Sequence, residues 1–273
     1  MIPAAFDYVR AGSAEEVLAV LAEHGDDAKI LAGGMSLLPL MKLRLATPGV
    51  LIDAGRVTDL AYVTNGGDHV AIGALTRHRE LETSDLLAKE CGILRAVAAE
   101  VGDNQVRHRG TLGGSTAHGD PASDLPAVLV ALDATLVVRG PDGERTVPAT
   151  DFFQGFLETA LAPTELLVEI RVPKTGATGF SYQKFNRRAQ DWAIVGAVAV
   201  RNGSTRVALV NMGSTPLRAR GVEEALAGGA SVVDAAARAA DGTEPPSDLN
   251  GGPEYREHLA RVLVRRALEA AGA

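Results

Sequence analysis

The sequence predicts an α+β fold in three sections. These are a small parallel α/β unit, a mixed and largely antiparallel sheet with helices, and a C-terminal part of antiparallel strands and helices. Three observations carry the prediction. A strand, a helix and a strand follow one another between residues 29 and 53. From residue 61 onward that pattern gives way to hairpin signals, at Asn65-Gly66-Gly67, Pro141-Asp142-Gly143 and Asn202-Gly203. The chain has 273 residues and is 46% hydrophobic, enough for one large domain or two modest ones.

The elements follow in order. Ser13-Ala14-Glu15-Glu16 is a capping box. It opens a helix whose inward stripe is Val17, Leu18, Val20 and Leu21. Lys29-Ile30-Leu31-Ala32 is a short strand ending at Gly33-Gly34. Leu37 to Leu45 reads as a helix, with Pro39 tolerated because it lies near the start. Val50-Leu51-Ile52-Asp53 is a second buried strand. Ala61–Thr64 and His69–Gly73 flank the first hairpin signal, and Thr135–Arg139 and Arg145–Pro148 flank the second. Residues 76–101 and 124–132 read mainly as helices, and Leu166–Val172 as a strand. Lys174 to Gly179 reads as a linker, placing a division at 174/175. Beyond it, Ile194–Arg201 and Thr205–Met212 flank Asn202-Gly203. The last helix, about 253–271, gathers Leu259, Val262, Leu263, Val264 and Leu268 on one side, after a loop at 243–248.

Composition excludes several classes. Charged residues make up 22% and the formal net charge is -7, with no dense Lys/Arg run, so a nucleic-acid-binding face is not expected. The single cysteine, Cys91, rules out a disulfide within the chain. It equally rules out an iron–sulfur cluster or Cys-rich zinc site held by this chain alone. Cys91 reads as a buried small hydrophobe. The six histidines lack metal-ligand spacing, and no metal site is expected. No Ser/His/Asp set or carboxylate pair takes a catalytic role. The N-terminus lacks a signal-peptide pattern, and no apolar run approaches the roughly 20 residues of a membrane span. A soluble, cytoplasmic protein is the expectation.

Two glycine-rich loops stand out. The first is Ala32-Gly33-Gly34-Met35-Ser36, between a strand and a helix. The second lies in Gly110-Thr111-Leu112-Gly113-Gly114-Ser115. Glycines let another group approach the backbone, and successive N–H groups at such turns form anion-binding concavities. Together the loops could cradle a diphosphate, although each alone is also an ordinary tight turn. Neither a Rossmann fingerprint nor a P-loop is present. Residues 102–126 read as a long irregular stretch between helices, a pattern that often carries function. Within it, Asp124 is either the cap of the next helix or a ligand contact, and Arg107-His108-Arg109 is either a solvated loop or a phosphate or partner contact.

The chain resembles the FAD-binding medium subunit of the molybdenum hydroxylases, a family that includes carbon monoxide dehydrogenase, xanthine dehydrogenase and related aldehyde or N-heterocycle hydroxylases. The matching pieces are Ala32–Arg44 (AGGMSLLPLMKLR), Leu51-Ile52-Asp53, Ile72-Gly73-Ala74-Leu75-Thr76, Gly102–Pro126, Leu166–Pro173 and Lys184–Ala193 (KFNRRAQDWA). They span essentially the whole chain, and the carbon monoxide dehydrogenase-like members are most similar. The resemblance implies an FAD-binding domain of the vanillyl-alcohol-oxidase type over 1–174, in lobes of about 1–57 and 58–174. A C-terminal α+β domain of antiparallel strands and helices over 175–273 would follow.

It also implies the ligand set. Ala32, Gly33, Gly34, Met35 and Ser36, with Thr111, Leu112, Gly113, Gly114 and Ser115, would wrap the FAD diphosphate. Asp124 would contact the ribityl or adjacent part of the cofactor, Leu167 and Lys184 the flavin or adenine, and Trp192 would lie against the flavin ring, although a lone Trp also reads as packing in the C-terminal core. Met35 stands where relatives carry a polar residue, and Ser115 replaces a common Asn. The implied partners are a large molybdenum-cofactor subunit and a small subunit with 2Fe–2S clusters, in a dimer of heterotrimers. The implied activity is that of an oxidoreductase subunit, passing electrons from those clusters through FAD to an external acceptor. A self-contained FAD-dependent oxidase or reductase, and a nucleotide-binding module without redox activity, stay open at this point.

Overall fold

The structure, a computed structural model, describes residues 2–273. The first section contains β1 (Asp7–Arg10), α1 (Ala14–His24), β2 (Ala28–Leu31), α2 (Leu37–Lys42) and β3 (Val50–Asp53). The strands form a parallel sheet in the order β1-β3-β2. The Ser13 hydroxyl accepts from the Glu16 N–H and starts α1, while the Glu16 carboxylate takes the Gly12 N–H rather than that of Ser13, so the expected capping box is half formed. Val17 and Leu21 on the inner face of α1 pack with Ile52, Leu75 and Val168. The sequence gives no warning of β1, because its four residues are largely exposed and carry no apolar alternation.

The second section runs through β4 (Val63–Asn65), β5 (His69–Gly73), α3 (His78–Thr83), α4 (Asp85–Glu90) and α5 (Gly92–Ala99). It continues with α6 (Asn104–Arg109), α7 (Leu112–His118), α8 (Asp124–Ala131), β6 (Thr135–Gly140) and β7 (Gly143–Pro148). It closes with α9 (Ala149–Phe152), β8 (Phe153–Gly155), β9 (Glu158–Thr159) and β10 (Leu166–Pro173). The main sheet has the order β4-β5-β10-β6-β7, and every neighbouring pair is antiparallel. Both expected hairpins form. The stretch 102–126 is not irregular: it holds α6, α7 and the start of α8. Caps outweigh the poor helix propensity there. The Asp103 carboxylate accepts from the Val106 N–H at 2.9 Å, and the Thr111 hydroxyl from the Gly114 N–H at 3.0 Å.

The third section contains β11 (Phe180–Phe185), β12 (Val195–Asn202), β13 (Ser204–Val210), β14 (Leu217–Arg218), α10 (Arg220–Ala227), α11 (Val232–Ala237) and α12 (Pro253–Ala271). The strands form one antiparallel sheet in chain order. Its two faces serve different cores. Val198, Val200, Ala208 and Val210 join the core around α8, while Val195, Ala197, Ala199, Val207 and Leu209 pack against α12. Each fully buried Val or Leu contributes about 1.5–3 kcal/mol relative to exposure, so both interfaces are substantial. The expected linker is pinned rather than free. The N–H groups of Thr175 and Gly176 both donate to the Glu90 carbonyl, at 2.8 and 3.2 Å.

Candidate functional site

A cavity of about 740 Å³ is lined from all three sections. That lies within the range of cofactor-sized sites. The strand β2 delivers the first glycine loop to one wall, the cap at Thr111 holds the second beside it, and the chain between β11 and β12 supplies the rim. Of the fourteen residues expected at the site, thirteen line this cavity. The exception is Leu112, whose side chain is fully buried in the core beneath the loop.

The two loops touch. A Cβ on Gly33 would lie 2.3 Å from the Arg109 carbonyl oxygen and 2.8 Å from Gly110 Cα, so only glycine permits this approach. Gly34 has φ +78°, in the left-handed region that favours glycine. The result is a run of backbone N–H groups, from Gly33 through Ser36, that donate to nothing among the described residues. Such a concavity suits a phosphate. The second loop differs from expectation. Its Leu112 and Gly113 N–H groups donate to the carbonyls of Thr76 and Ala74, and that of Gly114 to the Thr111 hydroxyl. It therefore offers close approach and the Ser115 hydroxyl rather than a second set of free N–H donors.

A residue that sequence reasoning missed joins the loops. The Arg77 guanidinium donates to the Arg109 carbonyl and reaches the Ala32 carbonyl at 3.5 Å. Burial and the nearby Arg109 charge lower its pKa. Next to it, His78 lines the cavity while only 4% exposed. Burial, reinforced by Arg77 and Arg107, pulls its imidazole down to about 4, so it is neutral at pH 7. Both follow the strand-end segment Ile72–Thr76, and a polar pair after a largely buried strand is the available signal. Arg107, in the basic cluster, is a strut: it bonds Glu82 at 3.0 Å, the Val101 carbonyl at 3.2 Å and Asn104 at 2.7 Å. His108 and Arg109 are exposed.

Asp124 does not cap α8. Ser123 occupies the cap position, and the Asp124 carboxylate instead takes the Lys184 ammonium at 2.8 Å and the Tyr182 hydroxyl. The charged side chains of both Lys184 and Asp124 are only 6% exposed. Burial pushes the Asp124 carboxyl up against the opposing pull of Lys184 and Tyr182, and burial beside Asp124 raises Tyr182 well above its ordinary value. Lys184 also donates to the Glu100 carbonyl at 3.0 Å. An ammonium has three donors, so one stays available at the cavity wall. Tyr182 was invisible in the sequence because its partner lies 58 residues away. Leu167 is buried on β10 at a break in its pairing with β6.

Trp192 stands at the rim with 54% of its surface exposed, so it does not pack in the C-terminal core. The carbonyl groups just behind it, of Ala193 and Ile194, accept from the Asn211 amide at 2.9 and 3.3 Å, and the buried Arg256 guanidinium also grips Ile194. The base of the rim loop is thus fixed while its aromatic tip is free. Among the described residues no cluster of His, Cys, Asp and Glu is arranged to hold a metal ion, and no helix is long and apolar enough to cross a membrane.

Known proteins share this architecture. The family model for the FAD binding domain in molybdopterin dehydrogenase matches residues 4–175, and that for the CO dehydrogenase flavoprotein C-terminal domain matches 180–271. The chain is 43% identical to the carbon monoxide dehydrogenase medium chain of Hydrogenophaga pseudoflava, covering 100% of this chain and 99% of that one. It is 38% identical to the 6-hydroxypseudooxynicotine dehydrogenase complex subunit alpha of Paenarthrobacter nicotinovorans, covering 99% and 96%. A solved structure of the Hydrogenophaga pseudoflava carbon monoxide dehydrogenase, lacking the Mo-pyranopterin moiety, superposes with a TM-score of 0.96 at 44% identity, covering 100% of this chain and 99% of that one. With both family models matched and full-length relatives at this identity, the chain belongs to the FAD-binding medium subunits of the molybdenum hydroxylases.

Proposed function

We propose that this chain is the flavin station of an electron relay, set between the iron–sulfur clusters of a small partner subunit and an external acceptor. Substrate oxidation would take place on a large molybdenum-cofactor subunit, and the whole would assemble as a dimer of heterotrimers in the cytoplasm. The observation that carries the reading is the run of free N–H groups from Gly33 to Ser36, opening into a cofactor-sized cavity. Bound FAD supplies one- and two-electron chemistry, while the protein supplies binding, orientation and electrostatics.

The chain's residues fit that cofactor. The first glycine loop would hold the diphosphate through its N–H groups, aided by the Ser36 and Ser115 hydroxyls. Thr111, Gly113 and Gly114 would let it lie close to the backbone. Lys184, held by Asp124 and Tyr182, would offer its remaining donor to the cofactor. Leu167 would pack against it, and Trp192 would cover one flavin face. The division at 174/175, with lobes of 1–57 and 58–174, belongs to the same proposal. Cys91 is fully buried, and burial pushes its thiol up to about 11, which supports placing every cluster on another chain.

The test is turnover by the purified full-length chain. It should carry flavin that dithionite bleaches, yet oxidise neither carbon monoxide, a purine nor an aldehyde until its partner chains are added. Robust oxidation by the chain alone would replace the relay with a self-contained flavoenzyme. A colourless preparation that also refuses added FAD would point to a module without redox activity.

A further inference from the structure

We propose that His78 is a direct contact of the cofactor, its neutral imidazole donating from Nε2 to an oxygen of the bound dinucleotide beside the junction of the two glycine loops. Three observations meet at this side chain. Its backbone is fixed there, because the His78 N–H donates to the Gly110 carbonyl at 3.0 Å. Its Cδ2–Nε2 edge lies against Gly110, where a Cβ would come within 2.7–2.8 Å of it. Gly110 is itself the residue that Gly33 presses upon, so the imidazole stands at the loop junction and lines the cavity. The third observation is that Nδ1 is sealed from solvent and has no hydrogen-bond partner.

The orphaned nitrogen favours one tautomer, since a bare buried acceptor is kept more often than a bare buried donor. A neutral imidazole carries one ring proton. On Nδ1 that proton would be a buried donor with no acceptor, an arrangement proteins rarely keep. On Nε2 it leaves Nδ1 as a bare lone pair and puts the donor on the edge beside Gly110, at the loop junction. Burial, reinforced by Arg77 and Arg107, keeps a second proton off the ring. A dinucleotide supplies acceptor oxygens and no competing cation, which is the ligand chemistry such a donor fits. A histidine kept only for packing has no need of a ring nitrogen, and phenylalanine would fill the same space.

This inference rests on FAD as the cofactor. The experiment is FAD titration of the flavin-stripped full chain by fluorescence quenching, for the natural protein, His78→Phe and His78→Gln. The amide nitrogen of Gln reaches the place of Nε2. Loss of one such hydrogen bond should weaken FAD binding about tenfold in His78→Phe. His78→Gln should recover most of that, and the melting temperature of flavin-free His78→Phe should not fall. Equal FAD affinity in the natural chain and His78→Phe overturns the proposal, as does a Gln variant no better than Phe. If His78→Phe fails to fold, nitrogen-15 NMR of the natural chain decides. The His78 Nε2–H resonance should shift and gain exchange protection when FAD is added, and an unchanged resonance overturns the contact. Failure of the natural chain to bind FAD would instead overturn the cofactor assignment itself.

Discussion

Trp192 stands on the cavity rim with just over half its surface exposed, so removing its ring disturbs little packing. Surface substitutions of this kind stay within about 0.5 kcal/mol of the natural stability. An aromatic ring against the flavin is worth on the order of 0.5–1.5 kcal/mol beyond burial, and each 1.4 kcal/mol is about tenfold in rate. Trp192→Ala should therefore change flavin reoxidation severalfold while FAD occupancy and melting temperature hold. Stopped-flow reoxidation and thermal melts on one sample test this. Unchanged reoxidation would reduce Trp192 to an ordinary surface residue. The loop behind it, gripped at Ala193 and Ile194 by Asn211 and Arg256, confines any motion to the tip.

At the scale of elements, α7 shows what a cap contributes. Its sequence, with two adjacent glycines, is a poor helix former, and the Thr111 hydroxyl offsets that by taking the Gly114 N–H. Losing such a cap costs about 1 kcal/mol. Here it would also loosen the loop that Gly33 and Arg77 press against. Thr111→Ala should lower the melting temperature by a few degrees and weaken FAD binding, and Thr111→Ser should restore both. An alanine variant with natural FAD affinity would show that the second loop takes no part in holding the cofactor.

The same elements explain what was readable in advance. The helix α1, the hairpins and α12 announce themselves through caps, turn residues and one-sided apolar stripes. The strand β1 does not, because it pairs at an edge with its side chains exposed. Residues 102–126 look irregular because glycine and charge hide two capped helices. The glycine loops were legible as a pair, since their spacing survives in the sequence. The lock formed by Asp124, Lys184 and Tyr182 was only half legible. Two of its members had the resemblance to mark them, and the third is set by a strand register that no local pattern encodes.

Across the whole molecule, the sheet of the third section joins two cores. Val198, Val200, Ala208 and Val210 close the core around α8, all eight of whose residues are buried. A division at 174/175 should therefore not separate independent folding units. A fragment ending at residue 174 would leave α8 without its cover. The full chain should melt in a single calorimetric transition, and the 1–174 fragment should bind a hydrophobic dye and aggregate. A soluble fragment with natural near-ultraviolet dichroism would show that α8 finds cover elsewhere.

That shared sheet also has a consequence for how the chain can vary. An ordinary edge strand has an interior side and a wet side, so half its positions accept nearly any polar residue. The strand β7 is of this kind, with Val147 its one buried position. The first six residues of β12, Val195 to Val200, are all interior, because the side chains pointing either way meet a core. Alternation, the usual source of neutral drift in a strand, is absent there. Saturation mutagenesis would map β12 as an unbroken intolerant run, and its small residues, Gly196, Ala197 and Ala199, would reject enlargement as firmly as the valines reject charge.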